Sequence, residues 1–211
     1  MFAINHAATA LVIKRAYPHV PMIGILLSVQ LMELVWVVLN YFGVEQTTTE
    51  EEVTYVGDIH LSHMPYSHSI ATMAGAAGLA WLIGRGVGRP EIGAAMGIGI
   101  LSHLVLDLIT HSPDIIPAPG ISRPKLGLGI YARYPALAFW VELGYGTACW
   151  WIYRGSLALL LVIFAFNLAN LPMFSKRRNR VLGILAHRPK LITTVILAQI
   201  IVTLVLVYVL S

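Results

Sequence analysis

The segment Ile100–Pro113, with the sequence ILSHLVLDLITHSP, carries three side chains that could hold a metal ion. His103, Asp107 and His111 are spaced four residues apart in an otherwise apolar stretch. Since an α-helix has about 3.6 residues per turn, these side chains fall on one helical face, one turn apart. Two imidazoles and a carboxylate on one stripe are suitable ligands for a divalent cation. The alternative is a pair of helix-end histidines beside an Asp that makes ordinary hydrogen bonds.

Further histidines lie near the start of the chain and in the loop before the third apolar segment. The stretch 58–69, DIHLSHMPYSHS, contains His60, His63 and His68, and His6 lies near the N-terminus. His6, His63 and His68 are additional candidate metal ligands. The alternative is that the loop histidines are surface groups that titrate with pH, an interpretation that fits His60 best.

Two carboxylates, Glu33 and Glu142, each stand alone in an apolar segment. A carboxylate inside a membrane costs about 2–4 kcal/mol unless it is paired, protonated or bound to a cation. Either Glu could complete a metal shell or act as the general base that activates a metal-bound water. The alternative is a protonated Glu that is hydrogen-bonded to a neighbouring helix. Gln30, one turn before Glu33, could orient a ligand or substrate through its amide.

The motifs and ligand types in the sequence bear on the nucleophile and on the metal. There is no Gly-x-Ser-x-Gly motif and no phosphate-binding glycine loop. A metal-activated water is therefore a better candidate nucleophile than a serine. Histidine and carboxylate ligands suit Zn²⁺, Fe²⁺ or Mn²⁺, and the sequence does not choose among them. Zinc is the expected metal.

The composition predicts an integral membrane protein. Of the 211 residues, 57% are hydrophobic and 11% are charged, and the mean hydropathy is +0.75. Soluble domains carry about 25% charged residues. The length predicts one all-α domain over residues 1–211, a single bundle of six or seven transmembrane spans. The net charge of +4 does not require a nucleic-acid partner, because the basic residues lie mainly in loops.

Seven apolar segments are candidates for these spans. Their boundaries are about 3–17, 21–43, 67–84, 91–111, 134–153, 156–173 and 191–210. Residues 1–150 contain the candidate metal ligands, whereas the helices within 156–211 are expected to be scaffold. In the fourth segment, Gly93, Gly97 and Gly99 would permit close helix packing.

If successive spans cross the membrane in opposite directions, the polar residues come together. The loops 44–66 and 112–133 and the N-terminus fall on one side of the membrane, and every buried ionisable group then lies in the same half of the bilayer. This convergence predicts one polar site. Arg123 and Lys125, in the loop over the site, could bind an anionic head group, or they could be ordinary interfacial charges. Basic residues lie in loops on both sides, so charge does not orient the chain.

Two motifs resemble a known family. The segments His63-Met-Pro-Tyr-Ser-His68-Ser69 and 101–110, LSHLVLDLIT, are similar to motifs of the YdjM-like family of bacterial inner-membrane, metal-dependent hydrolases. His6 matches the early histidine of that family. The segment 30–36, QLMELVW, is similar to its acidic motif, with Glu33 in place of the usual Asp. The resemblance covers most of the first 150 residues and implies a metal site in a bacterial inner membrane. The spacing in 103–111 also resembles that of zinc-dependent phospholipases C.

The leading hypothesis is a membrane metal-dependent hydrolase. The predicted ligands are His6, His63, His68, His103, Asp107 and His111. Metal-activated water would attack an ester or phosphoester, and a site at the interface indicates a lipid or amphiphile as substrate. One alternative is a metal-ion or proton-coupled transporter, which predicts polar residues through the other half of the membrane. Another is a non-catalytic protein with a structural metal. The sequence does not specify an oligomeric state.

Overall fold

The computed structural model describes residues 1–211 and is mostly helical, with nine helices and one two-stranded sheet. The helices are α1 Ala3–Ala16, α2 Met22–Tyr41, α3 Ile70–Gly86, α4 Pro90–Thr110, α5 Ile130–Arg133, α6 Pro135–Tyr153, α7 Leu157–Ala169, α8 Arg180–Gly183 and α9 Pro189–Leu210. The antiparallel strands are β1 Gln46–Thr49 and β2 Ile59–His63. The hairpin corrects the all-α prediction. It forms in the loop between α2 and α3, where the run Thr47–Thr49 favours extended backbone.

Seven of the helices coincide with the seven predicted segments, but fewer are long enough to cross a bilayer alone. Only α2, α4 and α9 are long and apolar enough to do so. Helices α1, α3 and α7 have 14, 17 and 13 residues, which corresponds to about 20–26 Å at 1.5 Å per residue. The hydrocarbon core of a membrane is about 30 Å thick. The structure therefore supports three candidate spans by length and composition.

Helix α1 lies at the centre of the bundle. It contacts α2, α4, α6, α7 and α9, and ten of its residues are buried. Small side chains at Ala7, Ala8 and Ala10 let the surrounding helices approach closely. A histidine at position 6 is therefore held inside the bundle and does not reach the surface.

Glycines set the distance between α4 and its neighbours. A Cβ atom at Gly93 would lie 2.7 Å from the Ala80 carbonyl oxygen and 3.0 Å from Gly84 Cα on α3. A Cβ atom at Gly99 would meet the side chain of Ser28 on α2. The predicted role of the glycine-rich half of α4 in close packing is confirmed.

The loop after α4 joins the end of that helix to the start of α3. The Ile70 amide donates to the Ile116 carbonyl oxygen at 3.0 Å, and the Gly129 amide donates to the His111 carbonyl oxygen at 2.7 Å. Gly127 has φ +146°, and a Cβ atom there would lie 2.5 Å from a backbone oxygen of residue 112, so only glycine fits without strain. These contacts hold the loop 112–133 against the end of α4 and the start of α3, next to His111 and His68.

Large apolar side chains cover much of the outside of the bundle. Leu82, Trp140, Trp151, Leu161 and Val209 are all exposed. Exposed apolar patches of this kind mark a surface that contacts lipid or a partner, because they are costly in water. The outer face is therefore consistent with association with a membrane.

Candidate metal centre

Six ionisable side chains from five parts of the chain converge at one end of the bundle. They are His6 on α1, Glu33 on α2, His68 before α3, His103 and Asp107 on α4, and His111 just after α4. His6, His68, His103 and Asp107 are each at most 2% exposed. Buried charged groups persist only when they are paired or bound to a cation.

Four of the donor atoms are spaced like the ligands of a metal ion. Asp107 Oδ2 lies 3.0 Å from His103 Nε2 and 3.5 Å from His68 Nε2. Glu33 Oε2 lies 3.4 Å from His68 Nε2 and 3.6 Å from His103 Nε2. Ligands about 2.0–2.1 Å from a tetrahedral zinc lie about 3.3 Å from one another. Glu33, His68 and His103 therefore form a triad that could hold a metal ion, and Asp107 Oδ2 lies beside it.

The second oxygen of Asp107 faces other groups. Asp107 Oδ1 lies 3.3 Å from His6 Nε2 and 3.5 Å from His111 Nε2. The amino group of Met1 also lies 2.7 Å from this oxygen and donates a hydrogen bond to it. His6, His103 and Asp107 form a second triad that could hold a metal ion, and it shares His103 with the triad of Glu33, His68 and His103.

Several of these atoms have no hydrogen-bond partner. His68 Nε2, His103 Nε2 and Asp107 Oδ2 are all buried without one, despite their short separations. A buried polar atom that lacks a hydrogen bond costs about 1–3 kcal/mol. A cation bound between these three atoms would satisfy all of them together.

The backbone of α2 orients His103. His103 Nδ1 lies 3.0 Å from the carbonyl oxygen of Val29. Since a carbonyl oxygen can only accept, Nδ1 carries the proton and Nε2 carries a lone pair that faces the cluster. This is the arrangement in which a metal-binding histidine is found, with its other nitrogen donating to a backbone oxygen.

A buried carboxylate orients His68 through a serine. Ser67 Oγ donates to Glu45 Oε2 at 2.5 Å and lies 2.6 Å from His68 Nδ1. Glu45 also accepts from the amides of Tyr66 and Ser67. Because the serine proton goes to Glu45, the hydroxyl oxygen accepts from His68 Nδ1. The lone pair of His68 Nε2 is then directed at Glu33 and Asp107.

Glu142 belongs to a neighbouring hydrogen-bond network. Its carboxylate accepts from the Phe2 amide, the Asn5 side chain and the Tyr131 hydroxyl. Burial raises the pKa of Tyr131, and the Glu142 carboxylate raises it further, so the phenol remains a donor. Asn5 also donates to Asn167 on α7. Glu142 therefore fixes the start of α1, one turn before His6, and its contacts do not include the metal-ligand atoms.

A cavity of about 630 Å³ leads to the cluster. His6, Glu33 and His111 are among the residues that line it. The apolar part of its wall comes mainly from α2, α9 and the segment around α8, and it includes Trp36, Leu182, Leu185, Ile192, Val195 and Ile196. Val195 is 41% exposed, so the wall reaches the protein surface. A volume of 300–1,000 Å³ is typical of small-molecule sites.

The remaining predicted residues lie outside the cluster. His63 is exposed on β2, opposite Gln46 in the sheet. Gln30 is buried, and its amide donates to the Ala3 carbonyl oxygen, so it links α2 to α1. Lys125 lines the cavity, whereas Arg123 is exposed and is not among the lining residues. Of the three predicted substrate-binding residues, Lys125 is the one that lines the cavity.

Three residues near the cluster were not predicted from the sequence. Glu45 and Ser67 orient His68, and Asp114 lies with its Oδ1 atom 3.7 Å from His111 Nδ1 and lines the cavity. Glu45 and Asp114 are loop carboxylates of a type that is common on surfaces. The one sequence signal is that Ser67 directly precedes His68. Ser69, one residue after His68, caps α3.

Comparison with known proteins gives no match to a family model, a curated protein or a solved structure.

Proposed function

We propose that the protein is an integral membrane hydrolase that uses divalent metal, expected to be zinc, to cleave an ester or phosphoester. The observation that carries the proposal is the convergence of unpartnered donor atoms of His68, His103 and Asp107 beside a largely apolar cavity, which the neighbouring Glu33 lines. A divalent metal at such a site would supply Lewis-acid catalysis and lower the pKa of water to about 7.

The cavity supports a substrate with an apolar chain and a polar or anionic head. Ile192, Val195 and Ile196 on α9 could pack against an apolar chain, and Lys125 adds a positive charge to the lining. Glu33 lies where cluster and cavity meet and is 20% exposed. One of its oxygens completes the ligand group, so Glu33 contributes to both the metal shell and the surface that a substrate contacts.

The membrane location is part of the same proposal. Six or seven helices would lie in the bilayer, with the short helices α1, α3 and α7 held there by α2, α4 and α9. Exposed apolar side chains on the bundle support this arrangement. The motifs around His63, His68, His103 and Asp107 support placing the chain with the YdjM-like hydrolases of bacterial inner membranes.

The packing beyond the cluster favours a hydrolase over a transporter. The largest buried cluster is apolar and includes Ala10, Leu11, Ile13, Ile25 and Leu26. These residues lie further along α1 and at the start of α2, away from His6 and Glu33. A transport path would need polar groups through this region.

Elemental analysis of the full chain, purified in detergent, tests the proposal. We expect zinc, iron or manganese in the parent protein and its loss in a His103→Ala/Asp107→Ala variant. His63→Ala is the matched control, because His63 is exposed. The loaded parent should hydrolyse a chromogenic ester or phosphodiester with a long alkyl chain. Absence of metal after incubation with all three ions would overturn the proposal, and metal without hydrolysis would favour a structural site.

A further inference from the structure

The cluster contains more donors than one metal ion uses. Zinc sites in proteins take four protein ligands when structural, and three plus water when catalytic. Here four imidazoles and two carboxylates converge, from His6, Glu33, His68, His103, Asp107 and His111. The surplus amounts to two imidazoles, and both of them face the same oxygen of Asp107.

The two oxygens of Asp107 face separate pairs of histidines. His103 and His68 lie 3.0 and 3.5 Å from Oδ2. His6 and His111 lie 3.3 and 3.5 Å from Oδ1. Each oxygen therefore has two imidazole nitrogens within the distance expected between ligands of a shared ion.

His103 cannot serve on both sides. Its Nδ1 atom donates to the Val29 carbonyl oxygen, so only Nε2 is available for a metal. Because Nε2 lies 3.0 Å from Oδ2 and 3.6 Å from Glu33 Oε2, we assign it to the same ion as His68. An ion on the other side would then keep His6 and Asp107 of the second triad and take His111, whose Nε2 lies 3.5 Å from Oδ1, in place of His103.

We propose that Asp107 bridges two divalent cations, a conclusion that rests on the metal-dependent function proposed above. Glu33, His68, His103 and Oδ2 bind the first cation. His6, His111 and Oδ1 bind the second cation, which replaces the Met1 ammonium as the partner of Oδ1.

The cavity distinguishes the two positions. His6 and His111 line it, whereas of the first cation's ligands only Glu33 does. The second cation therefore has only three side-chain ligands and faces the space in which a substrate would bind. Paired metal ions stabilise both the attacking and the leaving oxygen of an in-line displacement, so this arrangement suits a phosphoester substrate.

The number of metal ions per chain tests the proposal. The full chain in detergent is titrated with Zn²⁺, freed of excess ion and measured by elemental analysis. We expect two ions in the parent and one in a His6→Ala/His111→Ala variant. The control is His19→Ala/His63→Ala, which removes two exposed histidines and should retain two ions.

The outcomes separate this inference from the proposed function. One ion in the parent, unchanged in the His6/His111 variant, overturns the second cation but leaves the metal-dependent hydrolase intact. No ion in the parent overturns both. If the double variant does not fold, His111→Gln alone provides the same test, because His111 lies after the end of α4 and is 14% exposed. Retention of two tightly bound ions in that variant would also overturn the assignment.

Discussion

Glu45 and His68 are connected through a single hydroxyl group, that of Ser67, which donates to the carboxylate and accepts from the imidazole. Glu45 is 1% exposed, and its other hydrogen bonds come from backbone amides. A carboxylate this well held gives the imidazole a fixed direction. Such outer contacts set both the proton position and the basicity of a metal-binding histidine.

Replacement of Ser67 by Ala should weaken metal binding without removing a ligand. The variant loses the hydrogen bond that orients His68, and losses of this kind reduce metal affinity by about 10–100-fold. Competition with a chelator of known zinc affinity measures the change. Ser62→Ala is the control, because its exposed hydroxyl donates only to the Gln46 carbonyl oxygen. Equal affinities in the two variants would show that Ser67 does not position His68.

Part of this site follows directly from the sequence. The four-residue spacing of His103 and Asp107 in an apolar helix is sufficient to place both on one face, and the structure brings them within 3.0 Å. Helical periodicity is local, so it can be read from one segment. The same reasoning extends one turn further to His111, although the helix ends at Thr110.

The sequence does not show which of the loop histidines is buried. His63 and His68 are five residues apart in one polar segment, yet β2 places His63 on the surface while His68 is buried. Their separation depends on the hairpin and on the contacts of Ile70 and Ser69 with Ile116. These are interactions between distant parts of the chain, and no local pattern specifies them. The burial of Glu45 has the same origin.

Gly93→Ala should destabilise the bundle. Its Cβ atom would meet the Ala80 carbonyl oxygen at 2.7 Å, and backbone atoms cannot rotate away as a side chain can. Overpacking of this kind costs about 1–3 kcal/mol. Gly78→Ala on α3 is the matched control, since nothing lies within 4 Å of its Cβ position, and alanine there should add about 0.5–1 kcal/mol of helix stability. Thermal unfolding in detergent measures both, and equal midpoints would contradict the close approach of α3 and α4.

Tyr131→Phe should destabilise the start of α1. The phenol remains protonated because burial and Glu142 raise its pKa, and its hydroxyl donates to the buried Glu142 carboxylate. Loss of one partner from a buried polar group costs about 1–3 kcal/mol. Tyr134→Phe, at a position 62% exposed, should leave the unfolding midpoint unchanged. If the two variants unfold alike, the Tyr131–Glu142 hydrogen bond does not contribute to stability.

Ile196→Trp should reduce hydrolysis of long-chain substrates by filling the apolar cavity. Ile196 lines the cavity on α9, and the larger ring would occupy space that we assign to an alkyl chain. A loss of about 1.4 kcal/mol in transition-state binding corresponds to a roughly tenfold drop in kcat/KM. A short-chain substrate with the same scissile bond should be cleaved at the parental rate, because the metal ligands are unchanged. Val202→Trp, an exposed position on α9 outside the cavity, is the control. A parallel loss for long and short substrates would place the alkyl chain elsewhere.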